Sequence, residues 1–458
     1  MHNIHPLPSS YRDNDGFVFK KNNAIYRLIK PSYFNHYNTL MQSGLYANLI
    51  NTNRLIPHID VDISLWEETE IVGCKVIKPT EIPFISYPYE WSFDMWRDAA
   101  IVTLKIALQA LEHGMYLKDA TPFNIQFYNG RPVFIDTLSF EIYENNKPWI
   151  AYRQFCENFL SLLLLMHYGH RDLGKLLQIF PAGIPLEITK KLLPFKAMLN
   201  VQVYLHIWLQ ANISQKKSEK NVKEKSFSKQ NFVTLLNGLL SLVINLKQKQ
   251  IKSVWNNYYT ETILGNDYLK AKSNLVEEFS NIIQFEKVID FGANDGHFAI
   301  LLTDKAKFIL ATDADSNCIN TLYNICRAKK IKNILPLVNV INTPSPAIGW
   351  NNAERNSMTD RLQTDLVLAL ALIHHLAIAN NVPLSFIAKW LARITMYLVI
   401  EFVPKSDEKV QLLLKNREDI FDDYNILKFK EIFSAYFIFL QEKKVGETDR
   451  VLFLMKRK

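Results

Sequence analysis

The stretch that most constrains this chain runs from Lys287 to Asp313. An apolar run ends in Asp290-Phe291-Gly292-Ala293-Asn294-Asp295-Gly296, and a second apolar run ends on Asp313. The spacing predicts a buried strand over 287–292, a helix over 297–306 and a second strand over 307–313. The glycines then fall in a strand-to-helix turn. Gly292 and Gly296 allow a sharp bend and a close approach by a ligand, and Asn294 is the non-glycine residue that best tolerates positive φ. The free amides at the helix start face the ligand. Asp313, at the end of the second strand, can accept hydrogen bonds from both hydroxyls of a ribose. The pattern reads as a site for a nucleotide-type cofactor.

A turn that cradles a pyrophosphate usually carries a third glycine, and Phe298 stands there instead, so the dinucleotide reading weakens. Further strands are predicted at 334–340, 365–372 and 397–402, alternating with helices. Two more, at 436–444 and 450–455, are joined by Gly446-Glu447-Thr448 as a hairpin. A parallel α/β sheet finished by an antiparallel hairpin resembles the class I S-adenosylmethionine-dependent methyltransferases, over residues 271–458. Asn294 departs from the middle glycine of that family's first loop. The resemblance implies S-adenosylmethionine as cofactor. Asp290 would order the loop or meet the methionine amino group, Asp313 would take the ribose, and Asn339 would meet the adenine amino group.

The segment Asp365 to Leu376 resembles the same family's motif at the end of the fourth strand, beside the transferable methyl. His374 or His375 could orient a substrate or accept its proton; alternatively one imidazole caps the turn and the other packs. Asn342 to Arg361 is polar, aromatic and bounded by Pro344 and Pro346. It reads as a substrate lid with Trp350 as a stacking surface and Arg355 or Arg361 as an anion clamp. Glu401 is a further candidate at this edge, or a partner for one of those arginines.

A separate domain is required before this one, because 458 residues exceed a single methyltransferase domain. The Lys/Ser-rich run Ser214 to Gln230 reads as a linker, which sets the expected organisation at 1–213, linker 214–230, a helical bridging segment 231–270 and the methyltransferase domain 271–458. In the first part, Leu117-Lys118-Asp119-Ala120-Thr121-Pro122-Phe123-Asn124 precedes Pro132-Val133-Phe134-Ile135-Asp136. These segments resemble the catalytic and metal-binding loops of protein kinases, in which an Asp serves as base and an Asn and a later Asp bind metal. Asp119, Asn124 and Asp136 match that spacing. The apolar helix Asp98 to His113 and a strand-like Ile85 to Tyr89 suit such a domain.

The departures are Leu117 in place of His, Thr137 in place of Gly, no glycine-rich loop near Gly16, and only Arg27, Lys20 or Lys30 as substitutes for the usual lysine. The expectation is therefore an α+β kinase-like domain that is degenerate; an active one would use ATP and Mg²⁺, the only metal use foreseen. A helix-loop-hairpin whose carboxylates merely cap turns remains the plainer alternative. Taken with Glu90-Trp91-Ser92-Phe93, Lys147 to Cys156, Ile373-His374-His375-Leu376 and Glu401-Phe402-Val403-Pro404-Lys405, most of the chain is similar to the family of NoeA-type nodulation proteins. That resemblance implies methyl transfer to a small molecule or to a saccharide, lipid-linked or free. A bifunctional kinase and methyltransferase, and a non-catalytic protein on a cofactor fold, are the competing expectations.

Composition bounds the rest. At 48% apolar residues the chain can bury two cores. No apolar run is long and uninterrupted enough to span a membrane, and Met1 to Ser10 lacks a signal-peptide core, so the expectation is cytoplasmic. Four cysteines lack zinc or redox spacing. The net charge of +8 permits an anionic partner, but no basic stripe interleaved with aromatics reads as a nucleic-acid groove.

Overall fold

The computed structural model describes residues 4–64, 66, 71–212, 227–248, 266–415 and 417–458. The chain divides into two compact units, Met1–Gln250 with Pro346–Ser357, and Ile251–Ser345 with Met358–Lys458.

The first unit opens with the antiparallel hairpin β1 (Gly16–Lys21) and β2 (Ala24–Ile29). Asn22 and Asn23 form its two-residue turn with φ of 49° and 63°. This geometry follows the strand twist and leaves no length for a glycine-rich loop. Strands β3 (His58–Asp60) and β4 (Lys75–Pro79) complete a sheet in the order β1-β2-β4-β3. Behind it come two short ladders, β5 (Met115–Leu117) with β8 (Phe140–Ile142), and β6 (Ile125–Tyr128) with β7 (Arg131–Phe134).

The apolar helix of this unit spans Phe93–Glu112, longer at its start than the expected 98–113, and buries Phe93, Trp96, Ala99 and Leu104. It stops where Gly114 takes φ 73°, the left-handed cap only glycine adopts freely. Ile85 to Tyr89 is not a strand. Pro88 has no N–H to give a ladder, and the Tyr87 N–H donates instead to the Glu90 carboxylate at 2.8 Å, closing the 3₁₀ turn Pro88–Glu90.

Most of the expected linker, 214–226, lies outside the described residues, as does 249–265 of the expected bridge. What is described changes the boundary. Ser228 caps a helix Lys229–Asn245 by accepting from the Asn231 N–H at 3.2 Å. Its stripe Phe232, Leu236, Leu239 and Val243 is buried, and the helix packs on Phe93–Glu112, with the Phe232 ring 6.0 Å from that of Trp149. Residues 229–245 therefore belong to the first unit's core rather than to a bridge, and that unit runs past residue 213 to Gln250.

The second unit is built on seven strands: β9 (Lys287–Phe291), β10 (Phe308–Asp313), β11 (Ile334–Val338), β12 (Thr364–Ala369), β13 (Thr395–Phe402), β14 (Phe437–Lys444) and β15 (Val451–Arg457). Their order is β11-β10-β9-β12-β13-β15-β14. The first five are mutually parallel and β15 runs antiparallel to both β13 and β14, the arrangement expected from the sequence. The central strands are mostly apolar because helices cover such sheets on both faces, and Asp290 and Thr312 are the buried polar residues on β9 and β10. The parallel strands bring the turns after β9, β10, β11 and β12 to one carboxyl edge, the usual ligand edge of open α/β sheets.

The helix after β9 is shorter than expected, His297–Leu301 rather than 297–306. The carbonyls of Thr303 and Ala306 are taken by the Asn333 side-chain amide, at 2.8 Å each, so the chain turns into β10 instead of continuing the helix.

Candidate cofactor and catalytic site

Gly292, Asn294 and Gly296 all adopt positive φ, at 72°, 52° and 86°. A Cβ on Gly296 would run into Leu322, so the residue is fixed both by conformation and by space. The N–H groups of Gly292 and Ala293 donate to the Thr312 carbonyl at 2.8 and 3.0 Å, tying the turn to the end of β10. Asp313 braces the same turn: one carboxylate oxygen accepts from the Asn294 N–H at 2.9 Å and the other from the Asp315 N–H at 2.8 Å. Burial raises the Asp313 carboxyl above its ordinary value, against those hydrogen bonds. Each oxygen keeps a second lone pair for a ligand hydroxyl.

Three buried polar atoms on β9, β10 and the turn after β11 have no protein partner: Asp290 Oδ2, Thr312 Oγ1 and Asn339 Oδ1. Buried polar atoms are ordinarily paired. The register sets Ala311 beside Asp290 and Thr312 beside Phe291, so the Thr312 hydroxyl leaves the opposite face of the sheet from the Asp290 carboxyl. Asn339 is tied to the end of β10 by its N–H, which donates to the Asp313 carbonyl at 2.8 Å, so Asp290 and Asn339 are the two unpartnered atoms that point to a ligand beside Asp313. Burial, and then the charge of Asp313, push the Asp290 carboxyl up to about 7, while Lys272 pulls it down. The donor set suits S-adenosylmethionine: carboxyl groups for an ammonium and for ribose hydroxyls, and an amide oxygen for an exocyclic amine.

Beyond β12, His374 is buried and its Nδ1 also lacks a partner. Burial, then neighbouring His375, Arg450 and Lys272, hold its pKa well below 6.5, so the ring is neutral. His375 is partly buried, with its ring centroid 4.3 Å from that of His374, and burial lowers it too.

Glu401 does not pair with Arg355 or Arg361. It is fully buried, accepts from Lys272 Nζ at 2.6 Å, from the Tyr268 hydroxyl and from the Ala371 N–H at 2.8 Å, and lies 3.7 Å from Arg450. Arg450 in turn donates to both oxygens of Asp407, at 2.8 and 3.0 Å. Burial works to raise the Glu401 carboxyl, but Lys272 and Arg450 outweigh it and keep it ionised. Ala371 sits at φ 49°, a costly conformation for alanine, and Glu401 pins it just before His374. The Glu401 carboxylate is thus fully engaged by buried protein groups. Its partners are scattered from Tyr268 to Arg450, and only the four-residue spacing of Tyr268 and Lys272 on one helix face hints at them.

Arg355 belongs to the first unit, with the rest of Pro346–Ser357. Its guanidinium pairs with Glu354 at 2.8 Å and lies 3.7 Å from the centre of the Phe123 ring. Glu354 also accepts from Arg12 at 3.2 and 3.0 Å. Burial works against ionisation of Glu354, but the hydrogen bonds from Arg12 and Arg355 hold it down to about 2. The Asn356 N–H donates to the Tyr87 hydroxyl at 3.1 Å, and Trp350 is exposed.

The first unit does gather Asp119, Asn124 and Asp136. Burial raises the Asp119 carboxyl, the charge of Asp136 adds to this, and hydrogen bonds from Gln154 and Asn124 oppose it. The Asn124 amide is 3.4 Å from Ser139 Oγ. Of the three cations considered for the lysine's place, Arg27 on β2 pairs with Asp136, and the Ser139 hydroxyl donates to the same carboxylate. Burial raises Asp136, but Arg27 and Ser139 prevail and hold it below its ordinary value.

No protein-family model matches the chain. A nodulation protein, NoeA, of Rhizobium meliloti (strain 1021) is 32% identical over 466 residues, covering 98% of this chain and 96% of that protein. Among solved structures, the N-methyltransferase NodS from Bradyrhizobium japonicum WM9 in complex with S-adenosyl-L-homocysteine matches 44% of this chain and 96% of its own, at 10% identity and a TM-score of 0.32. Magnesium protoporphyrin IX methyltransferase from Synechocystis PCC 6803 matches 44% and 93%, at 12% identity and a TM-score of 0.31. A methyltransferase from Aquifex aeolicus matches 46% and 100%, at 16% and 0.30.

Proposed function

The chain belongs to the family of the nodulation protein NoeA, and on that premise we propose that it is an S-adenosylmethionine-dependent methyltransferase acting on a small molecule or a saccharide, lipid-linked or free. The observation that carries this reading is the pair of unpartnered buried atoms on Asp290 and Asn339 beside a turn braced by Asp313. Asp290 receives the amino group, Asp313 the ribose hydroxyls and Asn339 the adenine amine, while Gly292, Asn294 and Gly296 let the turn lie close against them.

Bound there, S-adenosylmethionine supplies an electrophilic methyl group on a sulfonium that is itself the leaving group. The chain's own contribution is alignment and exclusion of water. A neutral His374 accepts a hydrogen bond from the acceptor's hydroxyl or amine and orients its lone pair, with His375 as its alternate; Glu401, through the Ala371 N–H, fixes the turn that carries them. The low basicity of His374 suits a group that orients rather than one that removes a proton outright.

The first unit is, on this reading, a degenerate kinase-like domain. The Arg27–Asp136 pair supports it, because the carboxylate that would bridge a metal is already neutralised by the protein.

Titration calorimetry with S-adenosylmethionine and S-adenosylhomocysteine tests the proposal. Wild type is expected to bind in the micromolar range and Asp313→Ala to lose roughly ten- to hundredfold, the scale of charge-assisted hydrogen bonds. An absence of binding to wild type overturns the cofactor assignment. Binding with no methyl transfer to any saccharide or small-molecule acceptor would leave a cofactor-fold binding protein.

A further inference from the structure

The first unit turns an unusual amount of apolar side chain outward between Leu186 and Leu209. Leu192, at the end of the helix Leu186–Leu192, is 56% exposed; Phe195 and Leu199, four residues apart, are each 73% exposed, and Val201 is 68% exposed. Tyr204 and Leu205 emerge further along the same helical stretch, while Val203, His206 and Ile207 fill the interior. These short segments pack on one another, so the exposed side chains belong to one locality of the surface. Single exposed hydrophobes are ordinary, but a group of this size is characteristic of a docking surface.

Its charge selects the occupant. From Leu186 to Ile213 the sequence has three lysines, Lys190, Lys191 and Lys196, against one carboxylate, Glu187, at the start of the helix that carries Leu192. Lys191 and Lys196 are exposed beside Leu192 and Phe195; Lys190 donates to the Asn212 side chain at 2.8 Å. Large apolar side chains rimmed by an excess of lysines, with a tyrosine among them, match a bilayer interface carrying anionic headgroups: the side chains enter the acyl boundary and the ammonium groups stay with the phosphates. Among the described residues no helix is long and apolar enough to cross a membrane, so the contact is with the lipid surface. We propose that Leu192, Phe195, Leu199, Val201 and the adjoining lysines seat this protein on anionic lipid.

Flotation of the full chain with phosphatidylglycerol/phosphatidylcholine vesicles, against phosphatidylcholine alone, tests this. Wild type is expected to float with the anionic vesicles and to be released by salt. A Phe195→Asp/Leu199→Asp variant should lose at least fivefold of the floated fraction, and Lys191→Glu/Lys196→Glu at least threefold. S-adenosylmethionine affinity and melting temperature of each variant should match wild type, which separates a surface effect from misfolding. Absence of flotation, or flotation that the variants leave intact, overturns the proposal. So does a dimer in light scattering that Phe195→Asp converts to monomer, since the patch would then face a second copy.

Discussion

Lys272 and Glu401 form an ion pair 2.6 Å apart with both side chains withdrawn from solvent. Removing one member of such a pair leaves the other charge buried and uncompensated. Lys272→Ala is therefore expected to cost about 3–5 kcal/mol in urea unfolding, whereas the double replacement Lys272→Met/Glu401→Gln should cost distinctly less, because it removes both charges while keeping the volume. Equal losses in the single and double variants would show that packing, not charge, dominates here.

How much of this could be read beforehand divides along the chain's own distances. The turn after β9 announced its shape because each positive φ sits on a residue that tolerates it, Gly292, Asn294 and Gly296, within five consecutive positions. The sheet followed from apolar runs of strand length. The site's long-range pairings were not legible. Tyr268, Lys272, Glu401, Asp407 and Arg450 come together only once β13 and β15 are registered, and a lone buried arginine looks in sequence like any surface one. The contacts of Arg355 with Glu354 and Phe123 are of the same kind, since Phe123 lies more than two hundred residues away in the sequence.

Gly296 supports a steric prediction. Alanine there must hold φ near 86° and displace Leu322, so Gly296→Ala is expected to lose about 1–3 kcal/mol of stability. Adding Leu322→Ala should relieve the clash, but not the backbone strain, and should open a cavity of its own. Thermal melts of the two variants measure this; an unchanged Gly296→Ala melt would mean the turn can relax without strain.

Asp290 makes a pH prediction whose sign is fixed. Its carboxyl is pushed up to about 7, above the ordinary unfolded value of about 3.9, so the folded chain holds the proton more tightly than the unfolded one. The stability this proton contributes is complete below about pH 4 and is lost as pH rises to about 7; Asp290→Asn should flatten that part of the stability profile. Cofactor binding should run the other way, because a cationic amino group selects the ionised carboxylate. Affinity at pH 8 is expected to exceed that at pH 6 by about tenfold, the ratio of ionised fractions for a pKa near 7, and the ratio should vanish in Asp290→Asn. Calorimetry at the two pH values decides it, and a pH-independent wild type would remove Asp290 from the amino-group site.

The Arg27–Asp136 pair yields the prediction that separates a degenerate first unit from an active one. A metal bridging nucleotide phosphates needs a carboxylate whose charge is available; Oδ1 of Asp136 is taken by Arg27 and the Leu138 N–H, Oδ2 accepts from the Ser139 hydroxyl and keeps one lone pair, and the carboxylate's charge is already balanced by Arg27. The cation would have to displace a guanidinium whose charge is always present. ATP with Mg²⁺ is therefore expected to leave the melting temperature of wild type within error. Asp136→Ala should destabilise the protein with or without nucleotide, since it strands Arg27 in a largely buried position. A melting shift produced by ATP and Mg²⁺ in wild type and abolished in Asp136→Ala would reverse the assignment. Arg27 would then be a phosphate ligand that releases Asp136 when nucleotide arrives, and the chain would join phosphoryl transfer to methyl transfer.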